Sequence, residues 1–433
     1  MMEEACVEVR VPGDKSITHR ALILAALARG TSELRGLLPA EDPNTTARVL
    51  RALGCAIPEL PRNGAAVRVA GRGLDGLREP ADTLDCGNSG TTARLVLGVL
   101  AGFPFAASLT GDESLRSRPM RRVTEPLARM GACIEELGEP DRLPVRVRGG
   151  VLRPLDYDSP KASAQVKSAL LLAGLTGGVR VSVAEPVRSR DHTERLLRAM
   201  GAHVILTQQP RGGASVRLEP PRFLEPLELT VPGDFSSAAF FIALGLLAPA
   251  GGIRIPGVGV NPTRTGLLEV LRRMGAEPAV DAPRGVGSEA VGVILARPAP
   301  LRATEVSDAE IPMLIDEVPV LAALASRAEG ETRITGAREL RVKESDRLAA
   351  LAANLRAIGV EAEELPDGLV VRGTERPLRG RVRSFGDHRI AMAFGVLGAL
   401  PENEIEVEGA DVVSISYPGF WEELRRCAAA LMP

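Results

Sequence analysis

Of the 53 basic residues in this 433-residue chain only four are lysines, Lys15, Lys161, Lys167 and Lys343. A surface ion pair tolerates arginine or lysine equally, whereas a compact, tunable ammonium can pass a proton and a guanidinium cannot. The four lysines are therefore candidates for chemistry. Chance survival in an arginine-biased chain is the competing reading, stronger for Lys161 and Lys167 than for the other two.

Lys15 stands in the run Lys15-Ser16-Ile17-Thr18-His19-Arg20, between a Pro-Gly turn and an apolar segment. A helix starting there offers free backbone N–H groups and the positive end of its dipole, to which Lys15, Ser16 and Arg20 add donors, so the run suits an anion. The spacing of a Walker A loop is absent. Asn88-Ser89-Gly90-Thr91-Thr92-Ala93-Arg94 is a second polar turn before an apolar helix, as often a cap as a site, with a glycine that admits a ligand close to the backbone. The loop Ser114 to Arg122 concentrates four arginines, either a solvated face or a bidentate grip on carboxylate or phosphate. Ser163-Ala164-Gln165-Val166-Lys167 opens another apolar helix, and Arg188-Ser189-Arg190-Asp191-His192 supplies donors before the next. Later in the chain, Arg341 to Arg347 (with Lys343 and Glu344) and Gly386-Asp387-His388-Arg389 repeat the theme. Asp316-Glu317 is expected within an apolar helix that also holds Pro312 and Pro319, where a carboxylate is either an exposed residue or a perturbed general base.

The elements that must position these residues repeat. Five amphipathic helical stretches end on a glycine, at Gly54, Gly131, Gly201, Gly275 and Gly359, and a sixth runs from Phe420 to Met432. Glycine suits a left-handed helix end, and the near-constant spacing implies six units of about 72 residues. Short alternating runs such as Val145 to Arg148 and Val216 to Leu218 follow, so each unit mixes strand and helix. A longer repeat lies on top: Val11-Pro12-Gly13-Asp14 recurs as Val231-Pro232-Gly233-Asp234, each followed by an apolar helix. The chain thus reads as two similar halves, and a cleft between halves is a common substrate site.

Composition narrows the partners. The net charge of −2 and an aromatic content of 3% argue against a general nucleic-acid or membrane-surface binder. No apolar stretch reaches the length of a membrane span, and the acidic start Met1-Met2-Glu3-Glu4 lacks the features of a signal peptide, so a cytoplasmic protein is expected. The five scattered cysteines fit neither a disulfide framework nor a zinc site and read as reduced core residues. Gly71 to Gly76 matches GxGxxG but opens no helix, so a dinucleotide fold is not indicated. The four histidines lack metal-ligand spacing, and no metal is expected. Basic groups from both halves then point to small, multiply anionic substrates.

The segments PGDKSITHRA, GNSGTTARL, RSRPM, SAQVKSALLLAG, RVKESDRL and GDHRIAMAF, in this order and running nearly end to end, resemble the signatures of the 5-enolpyruvylshikimate-3-phosphate (EPSP) synthase family. That resemblance implies an α/β (α+β) fold of two similar domains. Each would comprise three βαβαββ-type units, an inside-out α/β barrel, with the active site in the interdomain cleft. Residues 12–230 would form one domain and residues 1–11 and 231–433 the other, with crossovers near 11–15 and 231–235. The implied reaction moves the enolpyruvyl group of phosphoenolpyruvate to the 5-hydroxyl of shikimate 3-phosphate and releases phosphate, in the pathway to chorismate and the aromatic amino acids. It would need no cofactor or metal, and the enzyme would be a cytoplasmic monomer.

Carried over motif by motif, the resemblance makes Lys15, Asp316 and Glu344 the catalytic set. Asp316 would be the base near the 5-hydroxyl, and Glu344 with Lys15 would exchange the methylene proton. Shikimate 3-phosphate would be held by Lys15, Ser16, Arg20, Ser163, Ala164, Gln165, Arg190, Asp316 and Lys343. Phosphoenolpyruvate would be held by Lys15, Asn88, Gly90, Arg118, Gln165, Arg347 and Arg389. Two positions depart from the best-known pattern. Ala164 replaces a serine, leaving only a backbone donor there. Ile415, in front of Ser416-Tyr417-Pro418, replaces a lysine, which removes one phosphoenolpyruvate contact. Gly90 stands where alanine in some members crowds glyphosate, so inhibition by glyphosate is expected. The rival readings are the sister transferase acting on UDP-N-acetylglucosamine, disfavoured because the loop Leu109 to Pro119 has no cysteine, and a non-catalytic anion-binding relative, disfavoured because Lys15, Asp316 and Glu344 are all present.

Overall fold

The computed structural model describes residues 6–209, 212–281, 284–286 and 288–431. The acidic start Met1 to Glu4 and Met432, the last residue of the expected terminal helix, lie outside them. The chain divides into two compact units. An N-terminal unit comprises Gly13–Val231 and Val286–Glu289, and a C-terminal unit comprises Met1–Pro12, Pro232–Gly285 and Ala290–Pro433.

The N-terminal unit carries helices α1 (Lys15–Leu27), α2 (Glu41–Ala52), α3 (Gly90–Leu100), α4 (Glu113–Arg116), α5 (Arg121–Met130), α6 (Ala164–Thr176) and α7 (His192–Ala199). The C-terminal unit carries α8 (Phe235–Leu247), α9 (Gly266–Arg273), α10 (Ile311–Leu314), α11 (Val318–Ala325), α12 (Arg347–Ala357), α13 (His388–Gly398) and α14 (Phe420–Leu431). Two kinds of helix follow from two kinds of sequence. Helices apolar on all sides bury nearly every residue: α1, α3 and α6 in one unit, α8, α11 and α13 in the other. Amphipathic helices such as α2, α5, α7 and α9 bury one face only. Gly98 permits the closest helix packing, because a Cβ there would lie 2.2 Å from the Ala169 carbonyl oxygen of α6. The glycines that end the amphipathic stretches all take positive φ, at 91° (Gly54), 112° (Gly131), 84° (Gly201), 89° (Gly275) and 88° (Gly359), the conformation only glycine adopts without strain.

Among the described residues each unit holds three separate sheets rather than one closed barrel, and every one of these sheets contains one parallel pair. Four of the pairs flank a buried helix, as Leu84–Asp85 and Ala106–Thr110 flank α3, the expected outcome of a βαβ crossover. The other two exchange partners. Strand Cys6–Glu8 precedes α1 yet pairs with Gly252–Gly259, the strand after α8. Strand Glu228–Thr230 precedes α8 and pairs with Thr31–Arg35, the strand after α1. This exchange places the first strand of the chain in the C-terminal unit. Separate hydrophobic cores fill the two units. Cys55, Cys86 and Cys427 lie in them, whereas Cys6 is half-buried and Cys133 exposed, so the reading of all five as core residues fails for these two. Among the described residues no helix is long and apolar enough to cross a membrane.

Candidate active site

In the N-terminal unit the motif residues sit at the starts of the three buried helices. Asp14 caps α1 by accepting from the Ile17 amide at 2.9 Å, which leaves Lys15 and Ser16 on the first turn. Lys15 Nζ lies 3.0 Å from Asp42 Oδ2, contributed by the first turn of α2. Arg20, one turn into α1, is only 4% exposed. It donates to three neutral oxygens: Nε to Thr193 Oγ1 (2.8 Å), Nη1 to the Ser16 carbonyl (3.0 Å) and Nη2 to Ser168 Oγ (3.0 Å). Burial and the nearby Arg190 drop its pKa to about 10, against partial support from Glu194 and Asp14.

At the start of α3, Ser89 caps the helix by accepting from the Thr92 amide at 3.2 Å. Its neighbour Asn88 accepts from Arg118 Nη2 at 2.7 Å, and the same nitrogen donates to Ser114 Oγ at 3.0 Å. Of the four arginines in that loop only Arg118 is buried. Arg94 Nη1 donates to Gln165 Oε1 at 2.7 Å, and Gln165 Nε2 donates to Thr91 Oγ1 at 3.0 Å, which joins the starts of α3 and α6. A Cβ on Gly90 would meet Arg94 Nη1 at 3.0 Å and Arg118 Nη1 at 3.4 Å, so the glycine leaves the space between two guanidinium groups open.

Ser163 caps α6, and its own amide donates to Glu185 Oε1 at 2.8 Å. Ala164 is the first residue of that helix, where backbone N–H groups have no intrahelical partner. Lys167 proves structural: its Nζ lies 2.9 Å from both Glu185 and Glu194. Burial alone would lower the pKa of Lys167, but the two carboxylates outweigh it and raise it. Glu185 also accepts from the Ser189 hydroxyl at 2.7 Å, which fixes the loop bearing Arg190. Lys161 is exposed.

The C-terminal unit assembles a different constellation around Asp316. This residue and Glu317 were expected inside a helix, but they form the turn between α10 and α11. Pro312 and Pro319 sit in the first turns of those helices, where proline is tolerated and the continuous helix is broken. Asp316 Oδ1 lies 3.5 Å from Arg347 Nη1, 3.9 Å from Lys343 Nζ and 3.9 Å from Arg389 Nε. Arg389 Nη1 also donates to the Asp316 carbonyl at 3.1 Å. Arg347, fully buried at the start of α12, donates Nε to Asp387 Oδ2 and Nη2 to Glu344 Oε2, both at 2.7 Å. Burial would lower its pKa, but Asp387, Glu344 and Asp316 outweigh it and hold Arg347 above its ordinary value. Asp387 in turn caps α13 by accepting from the Arg389 amide at 2.9 Å. Behind this cluster Glu317 accepts from Arg264 Nη1 at 3.0 Å, with Ser236 bonded to both.

The five C-terminal candidates, Asp316, Lys343, Glu344, Arg347 and Arg389, thus form one cluster, and the N-terminal candidates form a linked set of helix starts. Asp42, Glu185 and Arg264 were not singled out by sequence reasoning, and Arg94 and Asp387 stood in candidate runs without an assigned role. Only Asp387 carried a local signal, an acidic residue directly before a helix. The helix N-termini, arginines and lysine of the N-terminal unit can bind phosphate and carboxylate groups, and the carboxylate among three cations in the C-terminal unit can transfer a proton.

A family model for EPSP synthase (3-phosphoshikimate 1-carboxyvinyltransferase) matches residues 4–424. A protein of Gloeobacter violaceus named 3-phosphoshikimate 1-carboxyvinyltransferase is 52% identical over 97% of this chain and 96% of its own length. One of Sulfurihydrogenibium with the same name is 49% identical over 96% of each. Among solved structures, EPSP synthase from Acinetobacter baumannii superposes with a TM-score of 0.84 at 39% identity, covering 98% of this chain and 96% of its own. The enolpyruvyl transferase NikO from Streptomyces tendae shares the fold at TM-score 0.75 with 19% identity, covering 98% of this chain and 95% of its own.

Proposed function

The chain belongs to the EPSP synthase (3-phosphoshikimate 1-carboxyvinyltransferase) family, and from that premise we propose how its residues divide the work. The enzyme transfers the enolpyruvyl group of phosphoenolpyruvate to shikimate 3-phosphate in the shikimate pathway. In our reading the acceptor is the 5-hydroxyl, whose proton goes to Asp316 as its oxygen bonds to C2 of phosphoenolpyruvate. The methylene carbon C3 takes a proton from Glu344 acting with Lys15. The tetrahedral intermediate then returns one C3 methyl proton to Glu344 as the C2–O bond to phosphate breaks, which releases phosphate and restores the double bond in the product.

Ser16 and Arg20 hold the carboxylate of shikimate 3-phosphate, and Ser163, the Ala164 amide, Gln165, Arg190 and Lys343 complete its grip. Asn88, the Gly90 backbone, Arg118, Gln165, Arg347 and Arg389 hold phosphoenolpyruvate, with Lys15 reaching both. The observation that carries this assignment is the Asp316 carboxylate with Lys343, Arg347 and Arg389 all within 4 Å. Such a cluster suits a proton transfer beside anionic groups better than a passive binding surface. The same reading makes the enzyme a cytoplasmic monomer, which fractionation and sedimentation test.

Phosphate release from phosphoenolpyruvate, followed with shikimate 3-phosphate or UDP-N-acetylglucosamine as acceptor, tests the reaction. Release with shikimate 3-phosphate alone is expected. Release only with the nucleotide sugar would transfer the chain's activity to the sister reaction, and release with neither from folded protein would make it a binding protein.

A further inference from the structure

His19 takes no part in the assignments above, yet it is fully buried one turn along α1 from Lys15 and Ser16. Its Nδ1 lies 2.7 Å from Thr46 Oγ1 of α2, and Thr46 Oγ1 lies 2.6 Å from Thr92 Oγ1 of α3. Thr92 Oγ1 donates to Ser89 Oγ at 2.7 Å. Ser89 caps α3 between Asn88 and Gly90, and none of the four residues is more than 1% exposed.

Each threonine hydroxyl has one proton. Because Thr92 gives its proton to Ser89, Thr46 must give its own to Thr92, and His19 must then donate to Thr46 from Nδ1. The chain of bonds therefore has one direction and demands the neutral Nδ1–H tautomer. Burial, with Lys15 and Arg20 nearby, holds the pKa of His19 well below its ordinary value, which keeps the ring neutral.

We propose that His19 is a positioning residue whose Nδ1–H, relayed through Thr46 and Thr92, fixes the Ser89 cap and so holds Asn88 and the Gly90 backbone for phosphoenolpyruvate. The proposal rests on the reading of Asn88 and Gly90 as phosphoenolpyruvate contacts. A relay of buried hydroxyls is well suited to this task, since each member is satisfied only when all the others point the same way. Thr46 also lies one helical turn from Asp42, the partner of Lys15, so the relay braces the element that holds the lysine.

Nitrogen-15 spectra of histidine-labelled wild-type enzyme test the tautomer directly. A proton on Nδ1, unchanged from about pH 8 to 5.5, is expected. A proton on Nε2, or titration in that window, would overturn the proposal. In kinetics, His19→Leu and Thr46→Val are each expected to raise KM for phosphoenolpyruvate about ten-fold, with kcat and KM for shikimate 3-phosphate changing less than about three-fold. His19→Asn, which keeps a donor at the Nδ1 position, should recover most of that loss, and the double variant should lose no more than either single one. Equal damage to all kinetic parameters in folded variants, or an Asn variant no better than Leu, would reduce His19 to a packing residue. Wild-type turnover run alongside reports on the reaction itself, so a failed relay and a failed functional reading are distinguishable.

Discussion

Two buried arginines, Arg20 one turn into α1 and Arg347 at the start of α12, show how differently the two units treat their cations. Arg20 donates to a backbone carbonyl and two hydroxyls, and burial lowers its pKa to about 10. Arg347 donates to Asp387 and Glu344 and faces Asp316, and those carboxylates raise its pKa. Folding therefore works against the charge on Arg20 and favours the charge on Arg347. A buried guanidinium held on neutral oxygens is a receptor whose natural counter-charge is an anionic ligand. One held on carboxylates is already compensated, and its role is to orient those carboxylates and its neighbours. Asp387 shows the second arrangement most clearly, since it binds Arg347 through its carboxylate and caps the helix that begins with His388 and Arg389.

The sharpest break in this contrast is expected at Asp316, the carboxylate ringed by cations. Asp316→Asn should reduce kcat by about 10³-fold, the usual reach of a general base, in stopped-time assays of phosphate release. Asp387→Asn removes half of a fully buried ion pair and should cost about 3 kcal/mol of stability, read from denaturant midpoints, with a clear rise in KM for phosphoenolpyruvate. Arg20 gives a pH dependence of the same sense as a carboxylate with a depressed pKa, but displaced to alkaline pH. The unfolded chain holds the Arg20 proton more tightly than the folded one, so its burden on stability is fully present below about pH 10 and is relieved above it. On the proposal that protonated Arg20 holds the shikimate 3-phosphate carboxylate, the affinity should fall about ten-fold for each further unit once pH rises through that value, as titration calorimetry would show. The smallest effect is expected at Gly90. A Cβ there meets the ends of two flexible arginines at 3.0 and 3.4 Å, so Gly90→Ala should raise KM for phosphoenolpyruvate only about three-fold. It should weaken inhibition by glyphosate more than that; unchanged inhibition would remove the crowding argument.

Much of the fold was legible because repeats are local. The helix-ending glycines announced six units, and each proved left-handed. The recurrence of VPGD suggested two similar halves, and the long segment of the N-terminal unit runs from Gly13 to Val231. The exchange of strands Cys6–Glu8 and Glu228–Thr230 between sheets was not legible from periodicity, because a strand's partner 200 residues away leaves no mark on its own pattern. The same distinction governs the site. Lys15, Asn88, Ser163, Arg347 and Arg389 lie at or beside helix starts and could be picked out from their neighbours. Their partners Asp42 and Glu185 could not, since which acid meets which base depends on packing across tens of residues. The scarcity of lysine drew attention to all four, with less weight on Lys161 and Lys167; Lys161 is exposed and Lys167 is locked between two glutamates. Asp316 was misplaced in a helix because the apolar pattern on either side outweighed the two prolines that interrupt it.

The contrast between the two arginines is tested most directly by thermal unfolding of Arg20→Met and Arg347→Met, each with and without shikimate 3-phosphate. Without ligand, Arg20→Met should match or exceed the wild type, because it removes a charge that folding disfavours, while Arg347→Met should lose several degrees, because it removes the cation paired with the fully buried Asp387 carboxylate. Shikimate 3-phosphate should raise the midpoint of the wild type and leave that of Arg20→Met unmoved. A ligand-free Arg20→Met as unstable as Arg347→Met, or one still stabilised by shikimate 3-phosphate, would contradict the assignment of Arg20 as an anion receptor.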